Sequence, residues 1–162
     1  MGQKDVTLER ISTAQRQDVW DMWVEPDNFA KWYGPKGASL PVCNMDVQVG
    51  GKRHFAMEMQ TPNGPMKMWF VGEFIEVDEP SKLVYTEIMS NESGDELAPS
   101  AFGMPGDEVQ QTTVTVLFET VDDGTKITMT HAGIPADSPG AQGWEMALDK
   151  FEKCLTLENG AE

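Results

Sequence analysis

Positive charge is scarce in this sequence. Twelve Lys and Arg residues stand against 27 Asp and Glu, a formal charge of −15 at pH 7. Binding to nucleic acid or to an anionic membrane draws on Lys and Arg displacing counterions, so this balance points away from both partners. Cysteine is rarer still. Cys43 and Cys154 lie far apart without CxxC spacing, which suits a reduced, cytoplasmic protein better than a disulfide scaffold. Long hydrophobic runs are missing: the longest, MWFVGEFI (68–75), is too short to span a bilayer, so no membrane insertion is expected. The opening MGQKDVTLER has no apolar core of a signal peptide, and Val6 stands where a myristoylation signal needs Ser or Thr. There is no GxSxG elbow, phosphate-binding loop or dinucleotide fingerprint, and neither His nor Cys falls at zinc spacing. Neither a cofactor nor a metal is expected, and no catalytic residue can be named.

What is present suits one domain. The 162 residues are 40% hydrophobic and 24% charged, enough to bury a core without covalent help. DVTLERIS (5–12) alternates, with Val6, Leu8 and Arg10 on one side, and reads as a strand. Ser12 and Gln15 fit a capping box for a helix over 14–25. Pro26 suits the first position of a second, short helix over 26–32, stopped by Gly34-Pro35. From about residue 38 the period becomes two, predicting strands over 38–48, 52–60, 66–77, 82–89, 109–121 and 125–132. The acidic, Gly- and Pro-rich segment 90–108 interrupts them as a long loop. Ser138-Pro139 opens a last helix, with Trp144, Ala147, Leu148, Phe151 and Leu155 on one face and Gly160 at its end. This order predicts an α+β domain, a curved antiparallel sheet covered by the C-terminal helix.

The hairpin around Asn63-Gly64 fixes a trial register. Pairing Met59 with Met68, Met57 with Phe70 and Phe55 with Gly72 segregates one apolar side. The other side then pairs Glu58 with Trp69, Ala56 with Val71 and His54 with Glu73. Pro62 and Pro65 strain a tight turn there. His131 shares the apolar parity of Ile127 and Met129, so it is either a satisfied core residue or a polar hook inside a cavity. Glu87 and Glu119 are candidate buried acids, though strand carboxylates are more often solvated. Trp32 is expected to face inward and Tyr33 to lie at a rim, since adjacent helical residues diverge by about 100°.

Six segments in this order resemble a known family: VWDMWVEPDNFAKWYGP (19–35), VGGKRHF (49–55), GEFIEVDEPSKLVYT (72–86), TVTVLFE (113–119), DGTKITMTHAGIP (123–135) and GWEMALDKFEKCL (143–155). The chain resembles the activator of heat-shock-protein-90 ATPase homologue family, in the START-like, birch-pollen-allergen and polyketide-cyclase superfamily. The resemblance implies a helix-grip fold with a cavity between the curved sheet and the long C-terminal helix, and two short helices after the first strand. It also implies that the end of the short second helix lies over one opening. Members of that superfamily bind lipids, hormones and polyketides, and a few catalyse cyclisation or hydrolysis.

The expected function is therefore binding of a small hydrophobic or amphipathic, lipid- or polyketide-like molecule. Its candidate lining is Trp23, Trp32, Phe55, Met57, Met68, Phe70, Tyr85, Met129, His131, Trp144, Leu148 and Phe151. Either His131 or Tyr85 would be the polar anchor. One alternative is a protein-interaction or co-chaperone-like module acting through segment 90–108 or a sheet edge. A lesser one is a cyclase- or hydrolase-type enzyme centred on His131. A free sheet edge also offers a route to a homodimer.

Overall fold

The structure is a computed structural model that describes residues 5–34, 37–102, 106–109, 111–122, 124–135 and 139–158. Strand β1 (Asp5–Ser12) leads into helices α1 (Arg16–Val24) and α2 (Pro26–Phe29). Then come β2 (Ser39–Met45), β3 (Lys52–Thr61), β4 (Gly64–Asp78), β5 (Lys82–Ser90), β6 (Gln111–Val121) and β7 (Gly124–Pro135). Helix α3 (Pro139–Glu158) closes the described chain. The seven strands form one antiparallel sheet in the order β1-β7-β6-β5-β4-β3-β2. The chain thus meanders from β2 to β7, and β1 returns to the free edge of β7. Register shifts at Asp5/Val6, Ser39/Val42 and Phe74/Glu76 bend the strands that carry them, as extra residues in one strand do.

Alternation decides which side of the sheet is covered. Val114, Val116 and Phe118 of β6 and Ile127, Met129 and His131 of β7 point to the helix side and are buried. On β1, Val6 is buried on that side while Ile11 is 65% exposed on the other. Helix α3 lays Trp144, Ala147, Leu148, Phe151 and Leu155 on this face, and α1 adds Trp20 and Trp23. Arg10 ties β1 to α3: its Nη1 lies 2.9 Å from both Asp149 and Glu152.

Several boundaries and one register depart from the sequence reading. Helix α1 begins at Arg16, and Gln15 caps it without a side-chain bond, so the expected capping box does not form. Ser12 ends β1, and its Oγ accepts from the backbone N–H of Ala14. The short second helix ends at Phe29, and Trp32 and Tyr33 follow in a turn. Among its described residues, segment 90–108 holds a bridge between Ser90 and Glu96 and a 3-10 turn, Pro99–Phe102. Ser138 and Gly160 lie outside the described residues.

The β3–β4 hairpin turns on Pro62-Asn63 rather than on Asn63-Gly64. Thr61 Oγ1 accepts from the N–H of Asn63 and donates to the carbonyl of Gly64, and Gly64 takes φ +108°. The fixed φ of proline suits the first central position of a turn, which moves the loop back by one residue. Met57 therefore faces Met68, Phe55 faces Phe70 and Arg53 faces Gly72. The slip is two residues, so the two faces keep their members, but the expected His54–Glu73 pair is replaced. His54 faces Val71 with its ring 5.1 Å from Trp69, and Glu73 pairs with Lys52 at 3.5 Å.

Candidate functional site

Aromatic rings fill the space between α3, α1, α2 and the sheet. Trp23 lies 4.6 Å from Trp32, 6.0 Å from Trp144 and 6.1 Å from Phe151. Trp32 is fully buried, 4.9 Å from Phe151 and 5.4 Å from Phe29, and its Nε1–H donates to the carbonyl of Met22. Trp32 thus faces inward. Tyr33 does not sit at an exposed rim: it is 5% exposed and stacks on Phe29 at 4.2 Å. The turn that follows α2 lets both rings enter the same core.

Most of the predicted lining shares this core. Trp23, Trp32, Phe55, Met129, Leu148 and Phe151 pack into it directly, with Met57 partly buried against it. Met68 is half-buried opposite Met57. Tyr85 lies under the guanidinium of Arg53, 3.7 Å from the ring centre. Phe70, which stacks on Phe55 at the edge of this core, and His131 line a cleft of about 150 Å³ on the helix side of the sheet, with Glu87, Met89, Leu97, Thr112, Gly133 and Ile134. Trp144 stands behind His131.

Hydrogen bonds fix the chemistry of that cleft. Trp144 Nε1–H donates to His131 Nδ1 at 2.8 Å. An indole N–H can only donate, so Nδ1 carries no proton. The neutral ring therefore holds its proton on Nε2, which donates to Thr112 Oγ1 at 2.7 Å. Thr112 Oγ1 donates in turn to the backbone carbonyl of Glu87 at 3.2 Å. Burial pushes the His131 pKa below its usual value, and Arg53 adds to that while Glu87 opposes it. The Glu87 carboxylate accepts from the Tyr33 hydroxyl at 2.9 Å. Burial, then the Glu87 charge, holds that hydroxyl well above the usual tyrosine range, so it stays a donor.

This arrangement is poorly set up to move protons. Both ring nitrogens of His131 are engaged within the protein, leaving neither free as a general base. The Cys43 thiol is pushed up to about 11, chiefly by burial, and is not an activated nucleophile. Glu119, the other candidate acid, is exposed on β6. Among the described residues no group of three or more His, Cys, Asp or Glu could hold a metal ion, and no helix is long and apolar enough to cross a membrane.

Two features escaped the sequence reading. Thr112 lay at the predicted start of a strand with nothing to mark its hydroxyl as part of a relay. Arg53 is 1% exposed and shares a face with Phe55, a parity that was readable in the sequence. Its guanidinium lies 5.5 Å from Phe29, 5.3 Å from Phe55 and 5.7 Å from Phe74, and Nη1 donates to the carbonyl of Thr86 at 3.5 Å. Nε and Nη2 have no hydrogen-bond partner among the described residues. The Tyr85 hydroxyl also lacks one among the described residues, although it lies close to Tyr33.

A second concavity, of about 330 Å³, involves the opposite side of the sheet and is lined by Lys52, His54, Glu73, Thr86, Glu96 and Gln111 among others. Some of its polar groups are engaged with the protein: Lys52 pairs with Glu73, and His54 Nε2 lies 3.4 Å from the carbonyl of Asn91.

A curved antiparallel sheet holding one long C-terminal helix, with two short helices after the first strand, defines a helix-grip protein of the START-like class. More narrowly, the chain belongs to the Activator of Hsp90 ATPase homolog 1-like protein family, whose model matches residues 13–156. A Nitrosomonas europaea protein of known structure is 24% identical, with a TM-score of 0.74 over 95% of each chain. A Staphylococcus epidermidis protein is also 24% identical, with a TM-score of 0.74, over 98% of this chain and 93% of the other. The AHSA1 protein of Silicibacter pomeroyi is 17% identical, with a TM-score of 0.72, over 96% and 99%. At these identities the likeness is one of fold. A comparison with curated proteins finds no match.

Proposed function

We propose that this protein binds a small amphipathic molecule in the cleft beside Trp144, with the polar end on the Glu87–Thr112–His131 floor. The observation that carries this reading is the pairing of an apolar wall, Phe70, Met89, Leu97 and Ile134, with a fixed polar floor. Pockets of that composition orient small molecules, the apolar wall supplying affinity and the few polar groups supplying direction. The family's fold supports a ligand-binding role in general. The deeper space between α3 and the sheet is occupied by aromatic side chains, so the ligand lies to one side of the helix grip. Affinity is modest, because little apolar area is available to offset the entropy of association.

The test is a screen by amide and indole NMR with mixtures of small aliphatic and aromatic amphiphiles. Binding moves the Trp144 indole and the signals of Thr112 and Ile134, and Ile134→Trp, which fills the cleft, abolishes the movement. The reading fails if no compound perturbs these signals, or if compounds bind the Ile134→Trp protein as well as the wild type.

A further inference from the structure

The hydrogen-bond inventory of the cleft has a one-sided remainder. Two lining side chains, His131 and Thr112, carry donors, and Tyr33 reaches the lining Glu87 from within the core; each is used within the protein. His131 Nε2–H goes to Thr112, the Thr112 hydroxyl to the Glu87 carbonyl, and the Tyr33 hydroxyl to Glu87 Oε2. The Trp144 N–H behind them is spent on His131 Nδ1. The remaining lining side chains, Phe70, Met89, Leu97 and Ile134, carry no donor, and the Gly133 N–H goes to Asp5 Oδ1. Unused acceptors remain. Glu87 Oε1 has no hydrogen-bond partner among the described residues, and Oε2 has a second lone pair.

We infer that the cleft selects ligands whose polar end donates hydrogen bonds, with a protonated amine on a short apolar body as the preferred class and Glu87 as its acceptor. This rests on the cleft being the ligand site. A carboxylate or phosphate brings only acceptors and negative charge to a cleft whose described lining side chains offer no free donor, so it is left unpaired beside Glu87. An alcohol donates one bond but carries no charge. An ammonium donates up to three and is paired with the carboxylate, which makes the hydrogen bond charge-assisted. The formal charge of −15 acts in the same direction on any approaching cation.

The test compares hexylamine, hexan-1-ol and hexanoate, which share one apolar body and differ in the polar end. Each is titrated into the intact protein at fixed ionic strength and followed by the Trp144 indole and Thr112 amide signals. Hexylamine is expected to bind about tenfold more tightly than hexan-1-ol, with hexanoate weakest. Glu87→Gln, which keeps an acceptor for Tyr33 but removes the charge, is expected to bring amine and alcohol to equal affinity; its thermal midpoint checks that it folds. If Glu87→Gln does not fold, the amine-to-alcohol ratio in the wild type at rising salt replaces it and must shrink. Hexanoate binding in the cleft as tightly as the amine overturns the inference and leaves the ligand site standing. If none of the three moves the cleft signals, the ligand site itself falls, and this inference with it.

Discussion

His131 is neutral because the protein needs one of its nitrogens as an acceptor. Protonation would place an N–H on Nδ1, facing the Trp144 N–H at 2.8 Å. The charged groups that act on the ring are Glu87, Arg53 and Asp5. The pKa lies below the ordinary 6.5, so the unfolded chain takes up a proton first as the pH falls. The His131 contribution to stability is then complete above 6.5 and is lost as the pH falls through the lowered value. Urea unfolding at pH 7.5 and 5.0 is expected to show this loss, and His131→Asn to flatten that part of the profile. An unchanged slope in the mutant would show that other groups set it. Arg53 yields a second prediction. A buried cation with two unpaired nitrogens is held by four rings, and its desolvation cost is only partly offset by them. Arg53→Met is expected to match or exceed the wild-type stability to within about 1 kcal/mol, whereas Arg53→Ala, which leaves a cavity, loses about 2–4 kcal/mol. Equal losses in both variants would show that the charge itself is stabilising.

At the scale of elements, the strands and the closing helix were readable because turn residues and period changes bound them. Pro80-Ser81 separates β4 from β5, and β7 begins at Gly124, close to where the sequence places these turns. The β3–β4 register was misplaced by two because proline, usually a reason to doubt a strand turn, here occupies the turn itself. The cleft floor was legible only in part. The parity of His131 put it on the apolar face, but its partners come from β6 and α3, and nothing in the spacing of Thr112 and Trp144 brings them together. Gly72 marks another close approach invisible in one dimension. A Cβ there would sit 1.9 Å from the backbone oxygen of Thr86, the same carbonyl that Arg53 Nη1 reaches. Gly72→Ala is therefore expected to force β4 and β5 apart and to cost at least about 2 kcal/mol by chemical denaturation. A loss under about half a kcal/mol would mean that β5 moves aside easily.

For the molecule as a whole, the excess of 27 acidic over 12 basic residues sets the response to salt. The ion pairs Arg10–Asp149, Arg10–Glu152, Lys52–Glu73, Lys82–Glu76 and Lys126–Glu9 are largely exposed and individually weak. Most carboxylates therefore meet other carboxylates across the surface, and self-repulsion outweighs pairing. Raising NaCl from about 10 mM to 150 mM shortens the screening length from about 30 Å to about 8 Å. The thermal midpoint is expected to rise by about 2–4 °C for each kcal/mol of repulsion removed. A midpoint that falls over this range would mean that the ion pairs dominate.

The packed aromatic core also makes the protein its own optical instrument. Trp23 has its ring 4.6 Å from Trp32 and 6.0 Å from Trp144, and Trp20 reaches it through Phe118. Trp69 stands apart, against His54 on the other side of the sheet. Indoles this close exchange excitation, so emission drains toward whichever ring absorbs at longest wavelength. Because Trp144 also backs the cleft floor, a small molecule there would alter the colour and circular dichroism of the entire assembly. The lone Trp69 would meanwhile serve as an internal reference.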